Sequence, residues 1–325
     1  MANVLAVDIG GSHFRVGLFD QAGRCVKVTE DHAQPAQPRA WLLEQIRARC
    51  SACMQESAEP ITACGVSFGG LVDFERQLVT SLHHAGWDRF PLADWLRQDL
   101  GIPCLVDSDA NAAALGEFRF GAGKGTDSMV FVMLSTWLRC SLVCRGQLWR
   151  GKDSLAGELG HVPVSESGTV CSCGARGCLE LFCSGTAIAH EGREYASRRP
   201  EAMASVIERS GGSVDRITAK AVAEAAAQGD SVAIHIMGEA ARWLARAVLT
   251  IIRIVNPEKV ILGGGVAQAG LVLMEPLRDA LKAWGSPAVC HTTEIVSAGL
   301  GTRSSLYGAA ALAQELSAER PSITT

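Results

Sequence analysis

"VLAVDIGGSHFRVGLFDQAGRCVKVTE", residues 4–30, alternates short β-branched runs with Gly and Asp-Gln-Ala-Gly turn signals. That grammar predicts three antiparallel strands joined by tight turns. "RAWLLEQIRARCSACMQ" (39–55) then spaces its apolar residues as a helix does, and "ITACGVSF" (61–68) returns as a buried strand. "LADWLRQDLGI" (92–102) predicts a second helix ending at Gly101, and "PCLVDSDANAAALGEFRFG" (103–121) reads as strand, loop and helix.

The second half repeats the pattern. "MVFVML" (129–134) and "CSLVCRGQLW" (140–149) read as strands, and "SVAIHIMGEAARWLARAVLTIIRIVN" (231–256) as a long helix. "KVILGGG" (259–265) reads as a strand running into glycines. "SRRPEAMASVIERSGGSVDRITA" (197–219) suggests a surface helix with loops. The expectation is an α/β chain of two similar lobes, residues 1–116 with 307–325 and residues 117–306. Open α/β sheets place ligands at the carboxyl ends of their strands, so "VDIGG", "VDSDAN" and "ILGGG" are expected to converge on one cleft.

At 325 residues, with 48% hydrophobic content, the chain has enough apolar material for two cores. Its net charge of −4 is spread along the chain without a basic block, which argues against nucleic acid as a partner. No apolar stretch approaches the ~20 residues of a membrane span. The amino terminus lacks signal-peptide features, so a cytoplasmic protein is expected, with its twelve cysteines reduced and some of them binding metal.

The sharpest chemical signal is "GELGHVPVSESGTVCSCGARGCLE" (157–180), where His161, Cys171, Cys173 and Cys178 form H-x9-C-x-C-x4-C. Three thiolates and an imidazole make a closed, structural zinc site, with Gly174 and Gly177 supplying turns. Such a site would hold His161 beside Glu158 and fix the loop that carries Glu180. In "VDSDAN", Ser108 or Asp109 suits a helix N-cap. Asp109 is read further as a general base, while Asp107 stays open between the two roles. "DIGGSHFR" offers Gly10 and Gly11 as a phosphate-holding turn, although an ordinary hairpin also accounts for it.

Five stretches, "VDIGGSHFRVGLFD", "DANAAALGEFRFGAGKG", "AGELGHVPV", "CSCGARGCLE" with "CSG", and "NPEKVILGGGV", resemble the ROK family of bacterial sugar kinases and sugar-responsive repressors in order and spacing. The closest pattern is that of allose-kinase-like and N-acetylhexosamine-kinase-like members. The resemblance implies a two-lobed actin/hexokinase-like ATPase fold, usually a homodimer. It implies Asp109 as the base toward a sugar 6-hydroxyl, and Glu158, His161 and Glu180 as ligands of the other hydroxyls, with Ser108 where the family's sugar-holding Asn stands. Gly10, Gly11 and Thr136 fall in its phosphate loops, and Gly263, Gly264 and Gly265 in its adenosine-side loop.

One segment departs from that pattern. Where family kinases carry a G-T-G-x-G-G-G-like loop, this chain reads "STWLRCS" (135–141), and only Thr136 keeps its place. Side chains at Trp137, Arg139, Cys140 and Ser141 would enter space that glycines leave for phosphate. Ser304 and Ser305 replace the usual Ala-Gly, and "SFGGLVD" lacks the usual Pro-Gly-Pro. The expectation is therefore a sugar-binding protein with structural zinc and inefficient use of ATP and magnesium. The alternatives are an active hexose or N-acetylhexosamine 6-kinase, or a glycoside hydrolase reusing Asp109, Glu158 and Glu180. A DNA-binding repressor is disfavoured, because only seven residues precede the first phosphate motif.

Overall fold

The computed structural model describes residues 2–34, 36–81, 86–166, 169–285 and 292–318. Residues 319–325 of the first expected lobe lie outside them. The chain divides into two compact units. The first comprises Met1–Gly125, Ser141–Ala156 and Arg303–Thr325; the second comprises Thr126–Cys140 and Gly157–Thr302.

In the first unit, β1 (Asn3–Ile9), β2 (His13–Phe19) and β3 (Cys25–His32) form the antiparallel meander that the turn signals predict. Helix α1 (Arg39–Glu56) leads to β4 (Ile61–Phe68), which pairs parallel to β1. A short hairpin, β5 (Leu71–Asp73) and β6 (Leu78–Thr80), and helix α2 (Leu92–Leu100) precede β7 (Cys104–Ser108), parallel to β4. The sheet order is β3-β2-β1-β4-β7. Gly101 ends α2 at φ 68° and its N–H donates to the Arg97 carbonyl, the left-handed cap for which glycine is suited.

Helix α3 (Asp109–Phe120) follows β7 directly, so the loop expected inside residues 103–121 is absent. Ser108 closes the gap: as N-cap it accepts from the Asn111 N–H at 3.3 Å. The sheet is covered on both faces, which explains the unbroken apolar runs of β1 and β4. Leu5, Val7 and Ile9 pack with Ile46 of α1 and with Leu92 and Leu96 of α2. Val4 and Ala6 pack with Leu306, Ala309 and Ala310, residues of the last helix of the chain, which runs Ser304–Ala318. That helix crosses α3 closely: a Cβ on Gly308 would stand 1.6 Å from the Ala112 carbonyl oxygen.

A second sheet repeats the first, with the order β10-β9-β8-β11-β12. Its strands are β8 (Met129–Leu134), β9 (Leu138–Cys144), β10 (Gln147–Trp149), β11 (Lys259–Gly263) and β12 (Glu294–Ser297). β9 and β10 form a hairpin, and β11 lies parallel to both β8 and β12. The boundary between the units falls within β9.

The second unit also holds helices α4 (Glu180–Cys183), α5 (Gly185–Arg198), α6 (Ala204–Arg209), α7 (Ala219–Ala227), α8 (Ser231–Val255) and α9 (Leu271–Trp284); the last helix, Ser304–Ala318, is α10. The long helix read from residues 231–256 is α8. Asp230 caps it by accepting from the Val232 and Ala233 N–H groups, and Asn256 ends it at φ 48°. The segment 197–219 is less superficial than expected, since Met203 and Val206 are fully buried.

Candidate functional site

The second unit assembles the cysteine and histidine cluster from a short loop. Residues Leu159–His161 make one 3-10 turn, closed by the His161 N–H on the Glu158 carbonyl at 3.0 Å. The cysteine segment folds back so that Val164 N–H reaches the Gly177 carbonyl at 2.8 Å and Cys171 N–H the Ala175 carbonyl at 2.7 Å. Gly177 has φ 66°, and a Cβ there would lie 1.8 Å from the Ser165 carbonyl oxygen, so only glycine permits the approach.

The ligand atoms of His161, Cys171, Cys173 and Cys178 all lie within 4.8 Å of one another. Cys173 Sγ and Cys178 Sγ are 3.6 Å apart, and Cys171 Sγ is 3.5 Å from His161 Nδ1. A tetrahedral ion with Zn–S near 2.3 Å and Zn–N near 2.05 Å gives S···S edges of about 3.8 Å and S···N edges of about 3.5 Å. The donor set and spacing fit zinc. A metal on Nδ1 would leave His161 Nε2 protonated and on the side of Glu158, whose Oε2 is 3.7 Å away.

Glu180, the first residue of α4, is buried, and its Oε1 accepts from the Cys171 thiol at 3.0 Å and from the Ser172 hydroxyl at 3.4 Å. A thiolate on a metal has no proton to give, so metal binding would free that carboxylate oxygen for another donor. Glu158, His161 and Glu180 are therefore brought together, as the sequence predicts.

The stretch that reads "STWLRCS", a turn over Ser135–Trp137 that runs into β9, adjoins this cluster. Ser135 N–H donates to the Trp137 carbonyl at 3.0 Å, and Cys140 N–H to the Gly157 carbonyl at 2.8 Å. Two backbone donors of the stretch are thus engaged within the protein. The Ser135 carbonyl accepts from Gly185 N–H at 2.8 Å, and the Thr136 carbonyl from the Thr186 hydroxyl at 2.8 Å, tying the turn to the start of α5.

Gly264, at φ 87°, would set a Cβ 2.4 Å from the Leu134 carbonyl oxygen, so the glycine run 263–265 lies against the residue preceding the turn. Arg139 Nε lies 3.9 Å from Glu158 Oε1. Burial, and then the Glu158 charge, push the Cys140 thiol up to about 12. Ser141 is buried, and its hydroxyl has no partner among the described residues.

In the first unit the strand registers build a polar row that sequence reading missed. Asp107 stands beside Ser67, Ser67 beside Asp8, Asp8 beside Arg15 and Arg15 beside Glu30, across all five strands. Ser67 Oγ donates to Asp8 Oδ1 at 2.8 Å, and Arg15 donates to Asp8 at 3.2 Å and to Glu30 at 2.8 Å. Asp107 accepts from Arg150 Nε at 2.8 Å, Asn111 Nδ2 at 2.9 Å and Ser108 N–H at 2.7 Å.

Desolvation raises the pKa of both aspartates. Ser67 and Arg15 oppose the shift at Asp8, and Arg150 and Asn111 oppose it at Asp107. Asp109, the first residue of α3, accepts from the Ala110 N–H at 2.8 Å, and its Oδ2 lies 3.7 Å from where a Cβ on Gly69 would be. Gly10 N–H is engaged with the His13 carbonyl at 2.9 Å, while Gly11 is exposed.

Two duplicated sheets of this order, with the Cys/His loop between β10 and α4, define a ROK-type sugar-kinase fold. The chain belongs to the ROK family, whose family model matches residues 4–316. It is 36% identical over 315 residues to a glucokinase of Thermotoga maritima, covering 96% of this chain and 97% of that protein. It is 31% identical over 316 residues to a glucokinase of Streptomyces coelicolor, covering 97% and 98% of the two chains. The crystal structure of a ROK family glucokinase from Streptomyces griseus in complex with glucose and AMPPNP superposes with a TM-score of 0.85. It has 33% sequence identity and covers 97% of this chain and 100% of that one. Among the described residues no helix is long and apolar enough to cross a membrane.

Proposed function

We propose that this protein binds a hexose or a related sugar and transfers phosphate from ATP far less efficiently than glycine-loop kinases of its family. Glu158, His161 and Glu180 are the groups for the sugar hydroxyls, Ser108 stands where the family pattern has a sugar-holding Asn, and Asp109 is the base. Structural zinc on His161, Cys171, Cys173 and Cys178 holds the hydroxyl ligands in place.

The observation that carries the reading is the occupied turn. Ser135 and Cys140 donate their N–H groups to protein carbonyls, and Trp137, Arg139 and Ser141 carry side chains where the family has hydrogen atoms. Loss of one positioned oxyanion donor costs about 3 kcal/mol of transition-state stabilisation, so two losses cost about 6 kcal/mol, roughly four powers of ten in the rate of phosphate transfer. The gathering of Glu158 and Glu180 about His161, at 3.7 and 3.6 Å, supports a sugar side that is kept.

A second reading, an ordinary hexose kinase, is favoured by the 36% identity to a glucokinase over nearly the full length of both chains. Titration calorimetry of the zinc-loaded protein separates the two, using glucose, N-acetylglucosamine and disaccharides in one series and Mg–AMPPNP in another. A coupled assay for sugar phosphate runs beside it. Sugar binding with weak AMPPNP binding and little turnover supports the proposal. Micromolar AMPPNP binding strengthened by glucose, with rapid turnover, replaces it with the kinase reading.

A further inference from the structure

The antiparallel register of β2 and β3 sets His13 opposite His32. Both residues are exposed, their ring centroids are 4.6 Å apart and the ring planes are tilted by 42°. They share a sheet face with Arg15 and Glu30, two register pairs further along, and Arg15 is already held by Asp8 and Glu30. The imidazoles therefore border a guanidinium whose charge is compensated.

With metal–nitrogen bonds of about 2.0–2.1 Å, a ring centre lies about 3.2 Å from the ion. Two rings at a right angle around one ion then have centres about 4.5 Å apart, and at the tetrahedral angle about 5.2 Å. The observed separation falls between these values. Ser12 Oγ lies 2.9 Å from His13 Nδ1. A ring that donates from Nδ1 to this hydroxyl keeps Nε2 unprotonated, and an outer-shell contact of this kind is what orients a metal-bound histidine.

We infer that His13 and His32 chelate a borderline divalent transition metal, nickel(II) or zinc(II), at the end of the β2–β3 ribbon. Imidazole donors suit these ions and not magnesium or calcium. The pair belongs to the first unit and the Cys3His cluster to the second, so the two sites have separate ligands. His13 also closes the turn through Gly10 and Gly11 with its carbonyl, so a cation there adds positive charge beside the exposed Gly11.

The test is calorimetric titration of zinc-loaded protein with nickel(II) at mildly alkaline pH, for the unaltered chain and for His13→Ala, His32→Ala and Ser12→Ala. All three positions are exposed, so the variants keep the fold, and a thermal melt checks this. The unaltered protein is expected to bind one nickel equivalent while retaining its zinc. Ser12→Ala is expected to weaken binding about tenfold, and either histidine variant by more than that. Isotherms unchanged in both histidine variants overturn the inference. So does nickel uptake that releases zinc and produces thiolate-to-metal absorption, which places the ion on the cysteines.

Discussion

Arg139 sets its guanidinium 3.9 Å from the carboxylate of Glu158, a contact that a glycine at this position could not make. This residue of the "STWLRCS" stretch thus reaches a proposed sugar ligand. A loose pair at this distance, partly exposed, contributes little to stability. Its effect falls on ligand binding. The combined variant Trp137→Gly, Arg139→Gly and Ser141→Gly is expected to strengthen Mg–AMPPNP binding by at least tenfold and to raise sugar-phosphate formation. Arg139→Gly alone is expected to change sugar affinity with little effect on the melting temperature. Calorimetry and the coupled assay read both, and an unaltered nucleotide affinity in the triple variant rules out the loop as the cause.

Zinc removal should act on sugar binding through Glu180. Cys171 Sγ lies 3.0 Å from Glu180 Oε1, an oxygen proposed to receive a sugar hydroxyl, so a protonated Cys171 thiol would compete with the sugar for it. Chelator-treated protein is expected to lose sugar binding by at least tenfold and to melt at lower temperature, with both recovered on adding zinc. Cys178→Ser is expected to reproduce the loss without chelator. Metal analysis of the purified protein should return one zinc per chain held by the Cys3His cluster.

The crossing of α3 and α10 makes a sharper stability prediction. A Cβ on Gly308 would meet the Ala112 carbonyl oxygen at 1.6 Å, and one on Gly116 the Ser304 carbonyl oxygen at 2.3 Å. Backbone atoms of two packed helices cannot yield as a side-chain tip can, so Gly308→Ala is expected to cost about 3 kcal/mol, the upper part of the range for overpacking. Urea unfolding measures it. Ser141→Ala is expected to move the other way, by about 1 kcal/mol, because it removes a buried hydroxyl that has no partner among the described residues.

What the sequence disclosed, and what it withheld, follows from the range of each interaction. The four candidate metal ligands lie within eighteen residues of one another, and their chemistry is written in their identities, so the cluster was legible. The β1–β3 meander and α8 were legible through turn residues and periodicity. The row Asp107–Ser67–Asp8–Arg15–Glu30 was not, because it exists only through the registers of strands distant in the chain. Asp107 left its role open in the sequence, and Arg150, the partner that defines it, comes from beyond β10. Ser108 was legible as a cap candidate and is the N-cap; what the sequence did not disclose is that this cap lets α3 follow β7 with no loop at all.

The polar row also fixes the sign of a pH effect. Burial raises the pKa of Asp8 and Asp107 above the ordinary 3.8, so the folded protein holds these protons more tightly than the unfolded chain does. Their contribution to stability is fully present below about 3.8 and is lost as the pH rises through the higher folded values. Asp230 has the opposite sign. Burial disfavours its charge, but the Ala233 and Val232 N–H groups and the Ser205 hydroxyl outweigh burial and lower its pKa, so its contribution is lost as the pH falls. Asp8→Asn is therefore expected to flatten the fall in unfolding free energy as the pH is raised from about 4 toward neutrality, and Asp230→Asn to flatten the fall on acidification. Urea midpoints measured across that range for the three proteins decide it. An Asp8→Asn profile parallel to that of the unaltered protein means that the Asp8 carboxyl titrates alike in the folded and unfolded chains.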